Sequence, residues 1–288
     1  MNRNLLVVLE RATVHYQPIV DLNTGAIAGF EALMRTVDLD GNVASIGPFI
    51  EQIESDSALL DRLMRRLLCM IRHDAAPLFE RYPGFYISVN VPPAMLSAQT
   101  ALGEPKIRGM LVEFDLIRYQ DRLVCEITER QALSAQGRAA LELARQNGIR
   151  LALDDFGTGH SGIAQLLGLT VDVVKMDRSA VVLLTKDVTA ERLVRGIIAA
   201  TSLIRARVVA EGVESAAQAF FLQAAGVDYG QGWFWSPALP AAELPKVLEA
   251  GFPNWRSALV ERLNDARHSG ASRNPEQHKS PGLSLARE

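Results

Sequence analysis

Residues 14–34 read VHYQPIVDLNTGAIAGFEALM. Val14 to Val20 and Ile27 to Met34 are short, apolar and rich in strand-forming residues, and Leu22-Asn23-Thr24-Gly25 between them has the length and composition of a hairpin turn. A crossover helix needs roughly a dozen residues or more, so these two strands must run antiparallel. Beyond them the pattern changes. Strands expected at Phe85 to Asn90, Leu123 to Ile127, Arg150 to Asp154, Val171 to Met176, Arg207 to Glu211 and Asp228 to Gln231 alternate with helices expected over Ser57 to Phe79, Ser134 to Asn147, Ala190 to Ala206 and Ala216 to Ala225. Leu59, Leu60, Leu63, Leu67 and Leu68 keep helical spacing in the first of these, and Asn147-Gly148 stops the second where a strand must begin. Eight strand segments of this kind imply an α/β domain whose sheet closes into a barrel, with one strand antiparallel to its neighbours.

Bulk composition limits the function classes. With 288 residues, 48% of them hydrophobic, the chain can build one large core. Thirty Lys plus Arg against 33 Asp plus Glu leave no basic field for gripping a DNA or RNA polymer, so a nucleotide ligand would need a local site. Cys69 and Cys125 stand far apart in apolar sequence without a CxxC pair, which argues against a disulfide framework or a zinc site; both are expected reduced and buried. The apolar run near the start is broken by Glu10 and Arg11, too soon for a signal peptide or a membrane segment, and a cytoplasmic location is expected. Residues 1–13 read as a lead-in, 14–263 as the folded domain, and the polar stretch 264–288, with scattered Gly, Pro and Ser, as a disordered tail.

Polar residues fall at the carboxyl ends of successive strands: Glu31, Asn90, Glu126, the pair Asp154-Asp155, Lys175 and Glu211. Singly each has a plain explanation. An acid after a strand often caps the next helix, Asn90 before Pro92-Pro93 is ordinary turn chemistry, and Lys175 can pair with Asp177. In an α/β barrel, however, those strand ends meet at one rim, and carboxylates gathered there repel one another unless a cation sits among them. Oxygen donors without His or Cys suit Mg²⁺ or Mn²⁺, and two such ions are a recurrent device for cutting phosphodiesters.

The motifs are recognisable as a set. Glu31-Ala32-Leu33 lies in FEALMR, DDFGTG runs from Asp154 to Gly159, and ISVN, CEITER, VDVVKMDRS, VVAEGVES and YGQGW follow in order around Asn90, Glu126, Lys175, Glu211 and Gln231. From about Val14 to Gly251 the chain resembles the EAL phosphodiesterases. The resemblance implies a modified TIM (β/α)8 barrel with one antiparallel strand, and hydrolysis of cyclic di-GMP to linear pGpG with Mg²⁺ or Mn²⁺ in a two-metal site. It implies metal ligands at Glu31, Asn90, Glu126, Asp154 and Asp155, with Asp154 as the bridge. Lys175 and Glu211 match the residues that position or activate water, with the general base left open between them. Gln17, Leu33, Arg35 and Gln231 match positions at the nucleotide pocket, Glu129 matches an acid that steadies the loop after Asp155, and a homodimer is the assembly implied.

Some positions depart from the family pattern. Thr36 stands where Trp is usual, His160 where Tyr is usual and Gly162 where Ser is usual, and PFIEQIESDS at 48–57 replaces FIPLAEETG. None removes an expected ligand, and His160 reads as a packing residue rather than a base. FGTGHSG lacks the lysine and spacing of a P-loop and reads as a mobile regulatory loop linking the dimer to Asp154 and Asp155. The presence of the full ligand set favours an active enzyme over a catalytically silent receptor for cyclic di-GMP or for another protein, and the motif order disfavours a barrel enzyme acting on glycerophosphodiesters.

Overall fold

The computed structural model describes residues 3–101, 103, 105–157, 169–255 and 257. Among the described residues ten strands lie in one sheet: β1 (Ala12–Asp21), β2 (Ile27–Val37), β3 (Val43–Ser45), β4 (Tyr86–Asn90), β5 (Leu123–Thr128), β6 (Arg150–Phe156), β7 (Val173–Met176), β8 (Arg207–Ala210), β9 (Tyr229–Gly230) and β10 (Leu239–Pro240). Eight of them close a barrel in the order β1-β2-β4-β5-β6-β7-β8-β9, because β1 pairs with both β2 and β9. Both of those pairings are antiparallel, whereas every pairing from β2 through β4 to β9 is parallel. The barrel therefore has one reversed strand, as the short turn after Val20 requires.

That turn is built locally. Asp21 Oδ1 accepts from the amides of Asn23 and Thr24, both at 2.8 Å, and Gly25 adopts φ +76°, where a side chain would be strained. β3 and β10 lie outside the ring, extending β2 and β1. At three and two residues they are too short to leave an alternation in the sequence.

Helices cover the outside of the barrel. Asp56 caps the helix Ser57–Asp74 by accepting from the amides of Ala58 and Leu59. Leu60, Met64, Leu67, Leu68 and Ile71 of that helix pack with Val14, Tyr16 and Phe30 of the first two strands, each burial contributing about 1.5–3 kcal/mol. The helix expected through Phe79 breaks at Ala75 and resumes as Ala76–Arg81, since Pro77 lacks an amide hydrogen and crowds the preceding turn. Cys69 is exposed, correcting the expectation that both thiols are buried. It lies on the outer arc of a helix whose inward positions are Leu67, Leu68 and Ile71. A helix Arg3–Glu10 precedes the barrel and buries Leu5 and Leu9 against Ile53, Leu59 and Leu63.

Inside the barrel, Ile19, Tyr86, Val124, Ala152, Val173 and Val209 form an apolar layer. Among the described residues no helix is long and apolar enough to cross a membrane. The expected loop residues Gly159, His160 and Gly162, and the tail 264–288, lie outside the described residues.

Candidate active site

The apolar layer fixes what stands above it. Side chains alternate along a strand, so two residues beyond Val124, Ala152, Val173 and Val209 the inward positions are Glu126, Asp154, Lys175 and Glu211. Likewise Asn90 lies four residues beyond Tyr86, and Gln231 two beyond Tyr229. β1 runs the other way, and its mouth residue therefore precedes the layer residue Ile19: it is Gln17, paired in register with Glu31. Glu211 and Gln231 lie just past β8 and β9 but stay in the ladder, donating their amides to Met176 and Ala210 at 3.0 and 2.9 Å.

Adjacent Asp154 and Asp155 would ordinarily face opposite sides of the sheet. β6 escapes this through an irregularity in its pairing with β7 between Leu153 and Phe156, where Asp155 takes the left-handed φ of +56°. Asp154, Asp155 and Glu211 each consequently offer a carboxylate oxygen within 4.8 Å of the others.

Lys175 lies at the centre. Its Nζ, on a side chain 2% exposed, sits 2.6 Å from Glu211 Oε1, 2.9 Å from Glu126 Oε2, 3.2 Å from Asp154 Oδ1 and 3.3 Å from Glu31 Oε2. The alternative pairing with Asp177 does not form; Asp177 caps the helix Arg178–Val182 by accepting from the Ser179 amide. Glu31 is held further by Gln231 Nε2 at 2.7 Å and Asn90 Nδ2 at 3.2 Å, and Gln231 Nε2 also reaches Gln17 Oε1 at 3.2 Å.

One ammonium among this many acids leaves negative charge uncompensated, and the acids respond unequally. Burial, reinforced by the charges of Glu31 and Asp154, holds Glu126 well above the ordinary carboxyl range although Lys175 pulls the other way. Burial likewise pushes Glu211 up to about 8 against the pull of Lys175. At Glu31 burial is outweighed by Lys175 and by the hydrogen bonds from Gln231 and Asn90, and its carboxyl is lowered. Burial would lower Lys175, but Glu126, Glu211, Glu31 and Asp154 together hold it well above the usual ammonium value. Burial and then Asp154 raise Asp155.

Glu126 Oε1 is buried and accepts no hydrogen bond among the described residues, and buried Asp154 Oδ1 has only its 3.2 Å ion-pair contact with Lys175 Nζ. A buried acceptor without a donor is costly, and Glu126 Oε1 lies beside hard oxygen donors from further strands, so the residues present fit divalent cations. Glu129, buried at the start of the short helix after β5, accepts from the Gly157 amide at 3.3 Å and so touches the backbone that follows Asp155.

A cleft of about 220 Å³ opens over the mouth, lined by Gln17, Glu31, Leu33, Glu211, Gln231 and Trp233. Arg35 stands two residues past Leu33 on the same face of β2, half-buried, donating to the Met34 carbonyl at 3.2 Å; it does not line this cleft. Arg178, Glu214 and Trp233 also border the cleft and were not among the residues expected there. They follow the ends of β7, β8 and β9 by two to four residues within the recognisable motifs, and that offset was the available signal.

The EAL domain family profile matches residues 4–238. This chain belongs to the EAL domain family. Over 238 residues it is 34% identical to the probable cyclic di-GMP phosphodiesterase PdeB of Escherichia coli K12, a match covering 82% of this chain and 44% of that protein. The chain thus spans about half the length or less of the first curated relatives it matches. In three dimensions this EAL domain is similar to a structure described as "PaMucR Phosphodiesterase, c-di-GMP complex", with a TM-score of 0.74 and 27% identity over 84% of this chain and 98% of that one. It is also similar to Klebsiella pneumoniae BlrP1 in a calcium and cyclic di-GMP complex, with a TM-score of 0.66 and 25% identity over 80% of this chain and 56% of that one.

Proposed function

We propose that this EAL domain hydrolyses cyclic di-GMP to linear pGpG at the barrel mouth, using Mg²⁺ or Mn²⁺. The observation that carries the reading is the gathering of Glu31, Glu126, Asp154 and Glu211 from four strand ends within 3.3 Å of one ammonium, with Glu126 Oε1 left without a donor. Relatives named as cyclic di-GMP phosphodiesterases and similar structures holding that nucleotide support the choice of substrate.

Glu31, Asn90, Glu126, Asp154 and Asp155 would hold the cations. When bound, the pair would supply an acidified water and offset the charge that develops on the phosphoryl oxygens. The proton of the attacking water goes to Glu211. Lys175, kept charged by four carboxylates, is the wrong partner for that proton and instead orients Glu211 through their 2.6 Å contact. Attack at phosphorus breaks the bond to the 3′ oxygen, which takes a proton from solvent water to leave as a hydroxyl, and the 5′ phosphate remains on the linear product. Gln17, Leu33 and Gln231 line the space for the nucleotide, and Arg35 would reach it from the strand end with two parallel donors.

Incubation with cyclic di-GMP and Mn²⁺, followed by chromatography, should yield pGpG, and Glu31→Ala should abolish it. Undiminished product from Glu31→Ala would refute the ligand assignment, and tight binding without product would favour a receptor. A homodimer is the proposed assembly, read by light scattering at micromolar concentration.

A further inference from the structure

Building on the cyclic di-GMP reading above, we propose that Trp233 is the stacking platform for one guanine base of the substrate, with Arg178 and Glu214 facing that base's polar edge. Trp233 is 71% exposed, whereas Phe234 and Trp235 turn back onto the half-buried and buried aromatic cluster that includes Trp255. A solitary exposed apolar side chain on a convex surface needs no explanation. This one lines the same cleft as Glu31, Glu211 and Gln231, two residues from a side chain that holds Glu31.

Its position is fixed by backbone. Val213 donates its amide to the Gln231 carbonyl, and Phe234 donates its amide to the Val213 carbonyl, both at 3.0 Å. Between them Gly232 lies so close to Val213 that an added Cβ would come within 2.1 Å of its carbonyl oxygen. The indole is therefore carried by a clamped segment, and with two side-chain torsions it loses little entropy on stacking. A purine presents a flat π-face of matching shape, and base–aromatic stacking is a strong, desolvating contact.

The neighbouring wall supplies the edge chemistry. Arg178 Nη2 and Glu214 Oε1 pair at 2.6 Å, and both residues line the cleft. The Arg178 stem lies across Gly212, where an added Cβ would meet its Cγ at 2.3 Å. A guanidinium donates to guanine O6 and N7. A carboxylate accepts from guanine N1–H and its amino group, whereas adenine offers an acceptor at N1. The same wall thus fits guanine better than adenine.

The test uses the full chain with Mn²⁺. Trp233→Ala should raise KM for cyclic di-GMP about ten-fold or more with kcat within about two-fold, and Trp233→Phe should recover most of the loss. Cyclic di-GMP should quench the tryptophan emission of the wild-type protein and leave that of Trp233→Ala, which keeps Trp235 and Trp255, nearly unchanged. Glu214→Ala should narrow the preference for cyclic di-GMP over cyclic di-AMP. Wild-type turnover with an unaltered KM in Trp233→Ala, or quenching that survives in that variant, overturns the stacking proposal and leaves hydrolysis standing. Wild-type quenching lost in Trp233→Ala, without turnover of either protein, sinks hydrolysis and leaves the stacking site standing.

Discussion

Replacing Lys175 by methionine keeps the length of the side chain and removes the charge that four carboxylates share. The cluster cannot stay as it is, because unpaired carboxylates in a buried site must lose charge or let water in. The least costly remedy is one further proton. A carboxyl whose ordinary value is 4.5 takes up a proton at pH 8 at a cost of about 5 kcal/mol, and at pH 6 at about 2 kcal/mol. For a domain of this size each kcal/mol lowers Tm by about 2–4 °C. Lys175→Met in EDTA should therefore melt roughly 10–20 °C below the wild-type protein at pH 8, with less than half that deficit at pH 6. Thermal denaturation followed by circular dichroism reads both values. Excess Mn²⁺ should restore part of the loss, since a divalent ion supplies the missing charge. A variant that melts with the wild-type protein at pH 8 in EDTA, or a deficit that widens on acidification, would show that Lys175 does not balance this cluster.

The metal-free wild-type protein should also gain stability as pH falls from 9 to 6. Glu126 and Glu211 have raised values, so the folded state binds their protons more tightly than the unfolded chain does through the window between 4.5 and about 8. The stabilisation from the lowered Glu31 and the raised Lys175 is constant over that range; a melting temperature in EDTA that climbs from pH 6 to 9 would contradict this, and Mn²⁺, which needs ionised ligands, should remove the preference for low pH. Glu129→Ala removes the acceptor for the Gly157 amide next to the Asp154-Asp155 bulge, and should lower kcat about ten-fold in a protein whose far-ultraviolet spectrum is unchanged. Burial and then Glu126 push the Cys125 thiol up to about 12, so iodoacetamide at pH 8 should modify one thiol per native chain, Cys69, and reach the second only in denaturant.

The barrel was legible because its strands are apolar runs that end in a polar residue, and because the five residues between Asp21 and Ile27 are too few for a crossover. The meeting of Glu31, Glu126, Asp154, Lys175 and Glu211 followed from the same pattern, since strand ends in such a barrel share one rim. What the chain did not disclose depends on tertiary context. Neither the three residues of β3 nor the two of β10 can show a period. The exposure of Cys69 turns on which arc of the helix Ser57–Asp74 faces the sheet, and the break at Ala75 on Pro77 coming three residues after Asp74. Asp155 is the clearest instance. Alternation alone would send it away from Asp154, and only the left-handed turn inside β6 lets both carboxylates approach Glu211. That geometry costs backbone strain in a strand otherwise built for regular pairing, and strain is tolerated where the surrounding structure fixes it. Here the Gly157 contact with buried Glu129 and the flanking pairing of Leu153 and Phe156 do so. Asparagine at 155 would keep the turn and lose the charge, and alanine would lose both, so comparing the two separates the cost of the backbone from the worth of the carboxylate.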